Sequence, residues 1–271
     1  MNAVHVERDV LYSEIPGFRP LALDLYLPQQ PACLTCIYLH GGGWRVGSRR
    51  LGPGPAAFWS PSFFEVVARF GIAVASVDYR LSGEARFPAQ LEDVDAAARF
   101  LKEHGGEYGL PSKLGVWGSS AGGHLAALYS FQSAEAGSGV HAAVCWYAPT
   151  DLDALSADRV AVGVEADRTS TSREGQLVGG DLDERRELVD AASPVKRVPS
   201  SPPPFLFLHG SVDVAVPPRQ SERLAELLRE AGGTALVELV AGVGHMFAGL
   251  DDSLIRAAVE RSARFLLDPT C

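Results

Sequence analysis

The stretch Lys113–Ala127, KLGVWGSSAGGHLAA, limits what this chain can become more than any other. A short apolar run, Leu114 to Trp117, enters Gly118-Ser119-Ser120-Ala121-Gly122 and leaves into an alanine-rich segment. The pattern predicts a strand, a sharp turn and a helix, with Ser120 at the centre of G-x-S-x-G. A serine there has a strained backbone and an exposed hydroxyl, and the flanking glycines permit close strand–helix approach. Small-residue turns of this kind also occur without chemistry, so the motif needs support from elsewhere in the chain.

The rest of the chain supplies compatible architecture. Residues 4–12 and 19–27 alternate like strands around Ile15-Pro16-Gly17, which predicts an antiparallel hairpin at one sheet edge. Six apolar runs then follow: Cys33–His40, Ile72–Asp78, Leu114–Trp117, Val140–Tyr147, Phe205–His209 and Thr234–Val240. Runs without polar alternation belong to strands covered on both faces, hence to a mostly parallel sheet. Helical spacing lies between and after them. After Pro88 it is carried by Leu91, Val94, Ala98 and Leu101, and after Pro218 by Leu224, Leu227 and Leu228. Ile255, Ala258, Val259, Ser262 and Leu266 mark the last helix. The expectation is one α/β domain over residues 1–271, an eight-stranded, mostly parallel sheet flanked by helices. The charged segment Asp151–Ala192 interrupts the rhythm and reads as an inserted cap of short helices over the carboxyl end of the sheet.

Charge and cysteine content narrow the partners. With 24 Lys and Arg against 33 Asp and Glu the formal charge is −9, and no basic run appears, which argues against a nucleic-acid partner. Residues 1–30 lack a basic start followed by an apolar core, and no apolar run is long enough to span a bilayer. A cytoplasmic protein without a membrane partner is expected. Cys33 and Cys36 form C-x-x-C, but the odd spacing sends their side chains to opposite faces of a strand, so neither redox nor metal chemistry is assigned. Cys145 reads as core and Cys271 as tail.

The candidate catalytic residues each follow a predicted strand. His40-Gly41-Gly42-Gly43-Trp44 follows the third, Ser120 the fifth, Asp213 the seventh and His245 the eighth. Parallel strands end at one edge of a sheet, so distant residues converge there. Acyl transfer needs an imidazole to take the serine proton and a carboxylate to hold the imidazole's tautomer. Ser120, His245 and Asp213 supply those parts. The amides of Ala121, Gly42 and Gly43 supply donors for an oxyanion. His40 reads as structural and His124 as packing or capping, while Asp251 and Asp252 start the last helix. Asp78 and Arg80 read as a local ion pair or a brace for the neighbouring loops. Arg45, Arg49 and Arg50 read as a solvated basic face rather than a device for steering anions.

His40-Gly-Gly-Gly-Trp44, Tyr79-Arg80-Leu81 with Phe87-Pro88-Ala89, Gly118-Ser-Ser-Ala-Gly-Gly-His124, His209-Gly-Ser-Val-Asp213 and Gly242-Val-Gly-His245 together resemble α/β-hydrolase esterases. The likeness is to the hormone-sensitive-lipase-like and feruloyl-esterase-like branch, and it extends from about Leu23 to Phe265. It implies Ser120 as nucleophile, Asp213 as acid, His245 as base and Gly42, Gly43 and Ala121 as oxyanion donors. Two departures stand out. The hormone-sensitive-lipase pattern has aspartate where this chain has Ser119, and Asp-Pro-Leu where it has Asp213-Val. Both favour the feruloyl-esterase-like and kynurenine-formamidase-like relatives. Formamidases often carry Tyr at the place of Gly43, which argues against amide substrates. The resulting expectation is a serine hydrolase of carboxylic esters with short acyl groups, needing no cofactor or metal, acting on a small-molecule ester as a monomer or homodimer. An arylformamidase, a peptidase-like hydrolase and a non-catalytic ligand-binding protein on the same fold are the alternatives.

Overall fold

The computed structural model describes residues 4–270. Among these residues, eight strands form one sheet in the order β1-β2-β4-β3-β5-β6-β7-β8. β1 (His5–Ser13) and β2 (Leu21–Leu27) are the antiparallel edge hairpin, and Gly17 in its turn has φ 79°. Two register irregularities in β1 bend this edge strand. β3 (Leu34–Leu39), β4 (Ile72–Val77), β5 (Leu114–Ser119), β6 (Ala143–Trp146), β7 (Phe205–Gly210) and β8 (Ala235–Val240) pair parallel to one another.

Alternation along the strands divides the core into two layers. Ile37, Leu39, Val116, Cys145 and Phe207 join Leu91, Val94, Leu125, Leu128, Leu224 and Leu228 on one face. Their neighbours Cys36, Tyr38, Trp117, Val144 and Leu206 face the other way, onto Phe63, Phe64, Val67, Ile255, Val259 and Phe265. Both faces are therefore covered, by α2 (Ala89–His104), α3 (Ala121–Glu135) and α7 (Arg219–Glu230) on one side and by α1 (Phe63–Ala68) and α8 (Asp252–Leu267) on the other. Cover on both sides is the reason the strand sequences show no polar alternation.

Local signals account for most boundaries. Pro218 is the N-cap of α7, and Asp251 caps α8 by accepting from the Ser253 amide at 2.8 Å. Helix α1 escapes the periodicity reading because it has only six residues. Its visible signal is the capping box, in which the Ser62 side chain accepts from the Glu65 amide and Glu65 accepts from the Ser62 amide. β6 is shorter than the predicted Val140–Tyr147, because Tyr147 turns to φ 40° and leaves the extended region. Cys33 is exposed just before β3 and Cys36 is buried within it; Cys271 lies outside the described residues.

Residues 151–192 hold three short helices, α4 (Leu155–Ala161), α5 (Arg173–Val178) and α6 (Arg186–Ala191). Buried polar contacts tie them to the body. Gln220 Oε1 accepts from the amides of Thr150 and Asp151 at 2.8 Å each, Arg223 pairs with Asp158 at 2.9 Å, and Arg159 Nε donates to the Ala215 oxygen at 2.8 Å; within the segment Arg159 also pairs with Glu174 at 3.0 Å. No helix among the described residues is long and apolar enough to cross a membrane.

Candidate active site

Strand β5 runs into α3 through Ser120, whose φ of 53° and ψ of −120° lie outside the ordinary regions for an L-residue. The crowding around the turn explains its glycines. A Cβ on Gly118 would come within 2.1 Å of the Gly122 oxygen, and one on Gly122 within 2.0 Å of the Leu39 oxygen. Only residues without side chains let the helix start this close to β5 and β3. The strained turn leaves the Ser120 hydroxyl in the cleft.

Three distant side chains meet there. Ser120 Oγ lies 3.1 Å from His245 Nε2, and His245 Nδ1 lies 2.6 Å from Asp213 Oδ2. With Nδ1 donating to the carboxylate, Nε2 is left as an acceptor facing the serine hydroxyl. Asp213 is itself fixed. Its Oδ1 accepts from the amides of Ala215 and Val216 at 2.9 Å each, and its Oδ2 is 3.4 Å from His209 Nε2. Burial alone would raise the Asp213 carboxyl, but His209, His245 and the Val216 amide outweigh it and hold the group well below the usual carboxylate range. It therefore stays ionised behind the imidazole.

His209 is a residue that sequence reading did not single out. It is fully buried and is held by Ser221 Oγ and the Val216 oxygen, each at 2.7 Å. Its available signal was a polar ring ending an apolar strand four residues before Asp213. Tyr147, on the positive-φ turn after β6, is another addition. Its ring packs edge-on against that of His245 at 5.1 Å.

The glycine loop after β3 forms the facing wall. Gly42 and Gly43 have φ of 118° and 60°, and no group among the described residues accepts a hydrogen bond from their amides. Ala121 is the first residue of α3, so its amide has no partner within the helix. His40 is buried; its ring stacks on Tyr79 at 4.3 Å and its Nδ1 is 2.7 Å from the Gly41 oxygen, so it shapes the loop. His124 is buried one turn into α3. It receives the Trp44 Nε1 proton at 3.2 Å on Nδ1 and faces the Ala192 oxygen at 2.6 Å with Nε2. Burial lowers its pKa to about 4, so it is a neutral clamp between the glycine loop and the end of the 151–192 segment.

Asp78 and Arg80 do not pair with each other, but each braces a neighbouring loop as the alternative reading expected. Asp78 pairs with Arg49 and accepts from its amide at 2.7 Å, whereas Arg80 pairs with Asp93 at 2.7 Å and so braces the loop against α2. Asp24 and Asp93, at 0% and 2% exposed, each require a cation, and the long arginine stems reach them. Arg49 also bonds Asp24 at 2.8 Å, and Arg50 bonds Asp9 at 2.7 Å. The basic run beyond the glycines is therefore not one solvated face. Arg49 and Arg50 turn toward the edge hairpin, and Arg45 stays in the cleft.

That cleft, about 540 Å³, is lined by the glycine loop, Leu51, Pro53, Ser120, Tyr147, His245, Met246 and Arg173. The sequence model of the BD-FAE family matches residues 23–228, most of the chain. The chain belongs to the BD-FAE family. Among curated proteins it is similar to the esterases LipC and LipQ of Mycobacterium tuberculosis. It is 30% identical to each, over 96% and 82% of its own length and 64% and 52% of theirs. The chain thus spans between half and two-thirds of these relatives. Among solved structures it is similar to a truncated carbohydrate esterase from gut microbiota. The TM-score is 0.79 at 27% identity, covering 97% of this chain and 96% of that one.

The departure from the hormone-sensitive-lipase pattern at Ser119 and that from the formamidase pattern at Gly43 each have a local setting in this BD-FAE member. Ser119 is 2% exposed and its hydroxyl is 3.2 Å from Tyr38 Oη, so an aspartate would bury a charge beside a phenol. Gly43 has φ 60°, which strains any side chain there, and a Cβ would come within 2.7 Å of Arg173 Cδ, so the arginine would have to shift to admit a tyrosine.

Proposed function

We propose that this BD-FAE member is a serine hydrolase of carboxylic esters. The observation that carries the proposal is the unbroken chain from Ser120 Oγ to His245 at 3.1 Å and from His245 to Asp213 at 2.6 Å, placed on a strained turn. The esterase names of its relatives and of the similar solved structure support the same chemistry. His245 takes the Ser120 proton as Oγ attacks the ester carbonyl, and Asp213 stabilises the resulting imidazolium. The amides of Gly42, Gly43 and Ala121 receive the oxyanion, each lacking a competing acceptor. His245 then protonates the departing alcohol, and water repeats the sequence on the acyl-enzyme.

The segment 151–192 acts as the cap, since Arg173 from α5 borders the cleft beside the glycine loop. Leu51, Pro53 and Met246 on the remaining wall favour a short acyl group. Gly43, at the place where formamidases often carry tyrosine, supports esters over formamides. The exposed edge β8 is the surface by which a homodimer would form. Ser120→Ala tests the assignment. The variant is expected to lose turnover of 4-nitrophenyl acetate and labelling by a fluorophosphonate while keeping the wild-type circular-dichroism spectrum. Wild-type turnover by Ser120→Ala would refute it.

A further inference from the structure

Two arginines in the cleft have no role in the proton relay. Arg45 follows the glycine loop, Arg173 begins α5, and both side chains are exposed. They line the same cleft as Ser120 and His245. Neither guanidinium donates to any acceptor or pairs with any carboxylate among the described residues, although those of Arg49 and Arg50 close to Arg45 and of Arg159 near Arg173 all do. Arg173 also borders a second depression, which Glu165, Asp167 and Glu174 line as well. Of these, Glu174 is engaged by Arg159 at 3.0 Å and Asp167 by Thr169 at 2.7 Å.

The distribution runs against the composition. The chain has 33 acidic and 24 basic residues, yet no Asp or Glu is among the residues lining this cleft, and its formally charged members are the two guanidinium groups. Arg173 also lies close to the site of reaction. Its Cδ and Nε approach within 2.7 and 3.3 Å of the position a Gly43 Cβ would take, so its stem lies along the loop that carries the candidate oxyanion donors. A guanidinium is always charged and presents a fork of donors matched to a carboxylate. Two of them with no internal partner, at the rim of a reaction cleft and in an otherwise acidic protein, form a receptor for a negative group on the bound molecule.

We propose that the preferred substrates are esters that carry a carboxylate, either on the acyl part, as in a half-ester of a dicarboxylic acid, or on the leaving alcohol. Arg45 and Arg173 receive that carboxylate while Ser120 attacks the ester. The proposal rests on the ester-hydrolase reading above and names the substrate class for the same site.

Matched pairs test it. On the alcohol side, 4-acetoxybenzoate is compared with the neutral 4-acetoxybenzamide; on the acyl side, monomethyl glutarate is compared with methyl 5-amino-5-oxopentanoate. Turnover of 4-nitrophenyl acetate serves as the reference for the ester chemistry itself. In at least one pair the anionic ester is expected to exceed its neutral twin in kcat/KM by about tenfold, chiefly through KM, as a charge-assisted hydrogen bond would supply. The pair that responds identifies the side bearing the charge. In Arg173→Gln and Arg45→Gln that ratio falls toward one, and added salt lowers it in the wild type. Because each ratio is taken within one preparation, partial unfolding does not alter it. Equal kcat/KM for both members of both pairs, with 4-nitrophenyl acetate turned over, overturns the carboxylate proposal and leaves the esterase reading standing. An equal loss for both twins in Arg173→Gln also overturns it and assigns the cation to the oxyanion instead. No turnover of 4-nitrophenyl acetate defeats the esterase reading and this proposal with it.

Discussion

Asp213→Asn separates the tautomer-fixing role of this residue from its place in the fold. Oδ1 of Asp213 accepts from two backbone amides at 2.9 Å each, so the carbonyl oxygen of an asparagine must occupy that position. Its NH2 group is then forced to the place of Oδ2, 2.6 Å from His245 Nδ1 and 3.4 Å from His209 Nε2. An amide nitrogen there only donates. His245 Nδ1 must become the acceptor, the ring proton moves to Nε2, and the nitrogen facing Ser120 no longer has a lone pair for the hydroxyl proton. The expected cost is about ten-thousand-fold in kcat, or about 5.5 kcal/mol of barrier. Stability changes far less, because both amide caps on Oδ1 remain; replacing a charged acceptor by a neutral one costs about 1–3 kcal/mol. The assay is kcat and KM for 4-nitrophenyl acetate, with urea denaturation alongside. A folded Asp213→Asn variant retaining kcat within tenfold of wild type would refute the argument that this carboxylate sets the histidine tautomer.

Two further predictions concern the supports of the site. Arg49→Met leaves the fully buried Asp24 with a weaker set of partners and is expected to destabilise the fold by about 3 kcal/mol at neutral pH in urea unfolding. Burial raises the Asp24 carboxyl, but the Asp9 amide, Arg49 and Arg8 more than compensate, and its folded pKa lies below the ordinary value. Its stabilising contribution is therefore complete above the ordinary value, about 4, and is lost as pH falls from there through the lower folded pKa. The gap between wild type and Arg49→Met should accordingly narrow at pH 3, and an unchanged gap would count against the ion pair. His124→Leu strands the Trp44 indole proton and the Ala192 carbonyl, at a cost of about 1–3 kcal/mol for each buried group. Because His124 joins the glycine loop to the end of the 151–192 segment, kcat/KM for 4-nitrophenyl acetate should fall together with the melting temperature; a fall in neither would show the clamp to be idle.

The succession of strands along the chain, the sheet covered on both faces and the placement of Ser120, Asp213 and His245 after strand ends are legible in the sequence, because each rests on a local signal; the spatial order, with β4 between β2 and β3, is not. Apolar runs report burial on both faces, and glycines at 118 and 122 report a backbone approach too close for any side chain. Helix α1 was readable only through its Ser62–Glu65 box, since six residues are too few to display a period. Arg45, Arg49 and Arg50 show where such reading stops. They are near neighbours in the chain, yet two are neutralised by Asp9, Asp24 and Asp78 while the third lines the cleft together with Arg173 from far along the sequence.

What the sequence determined by itself was the kind of fold and which side chains could act, since periodicity and turn chemistry are properties of adjacent residues. Tertiary structure decided which charges are cancelled and which are left for a ligand. Charge pairing depends on what other strands and helices bring within a few ångströms, and no stretch of the chain holds that information alone.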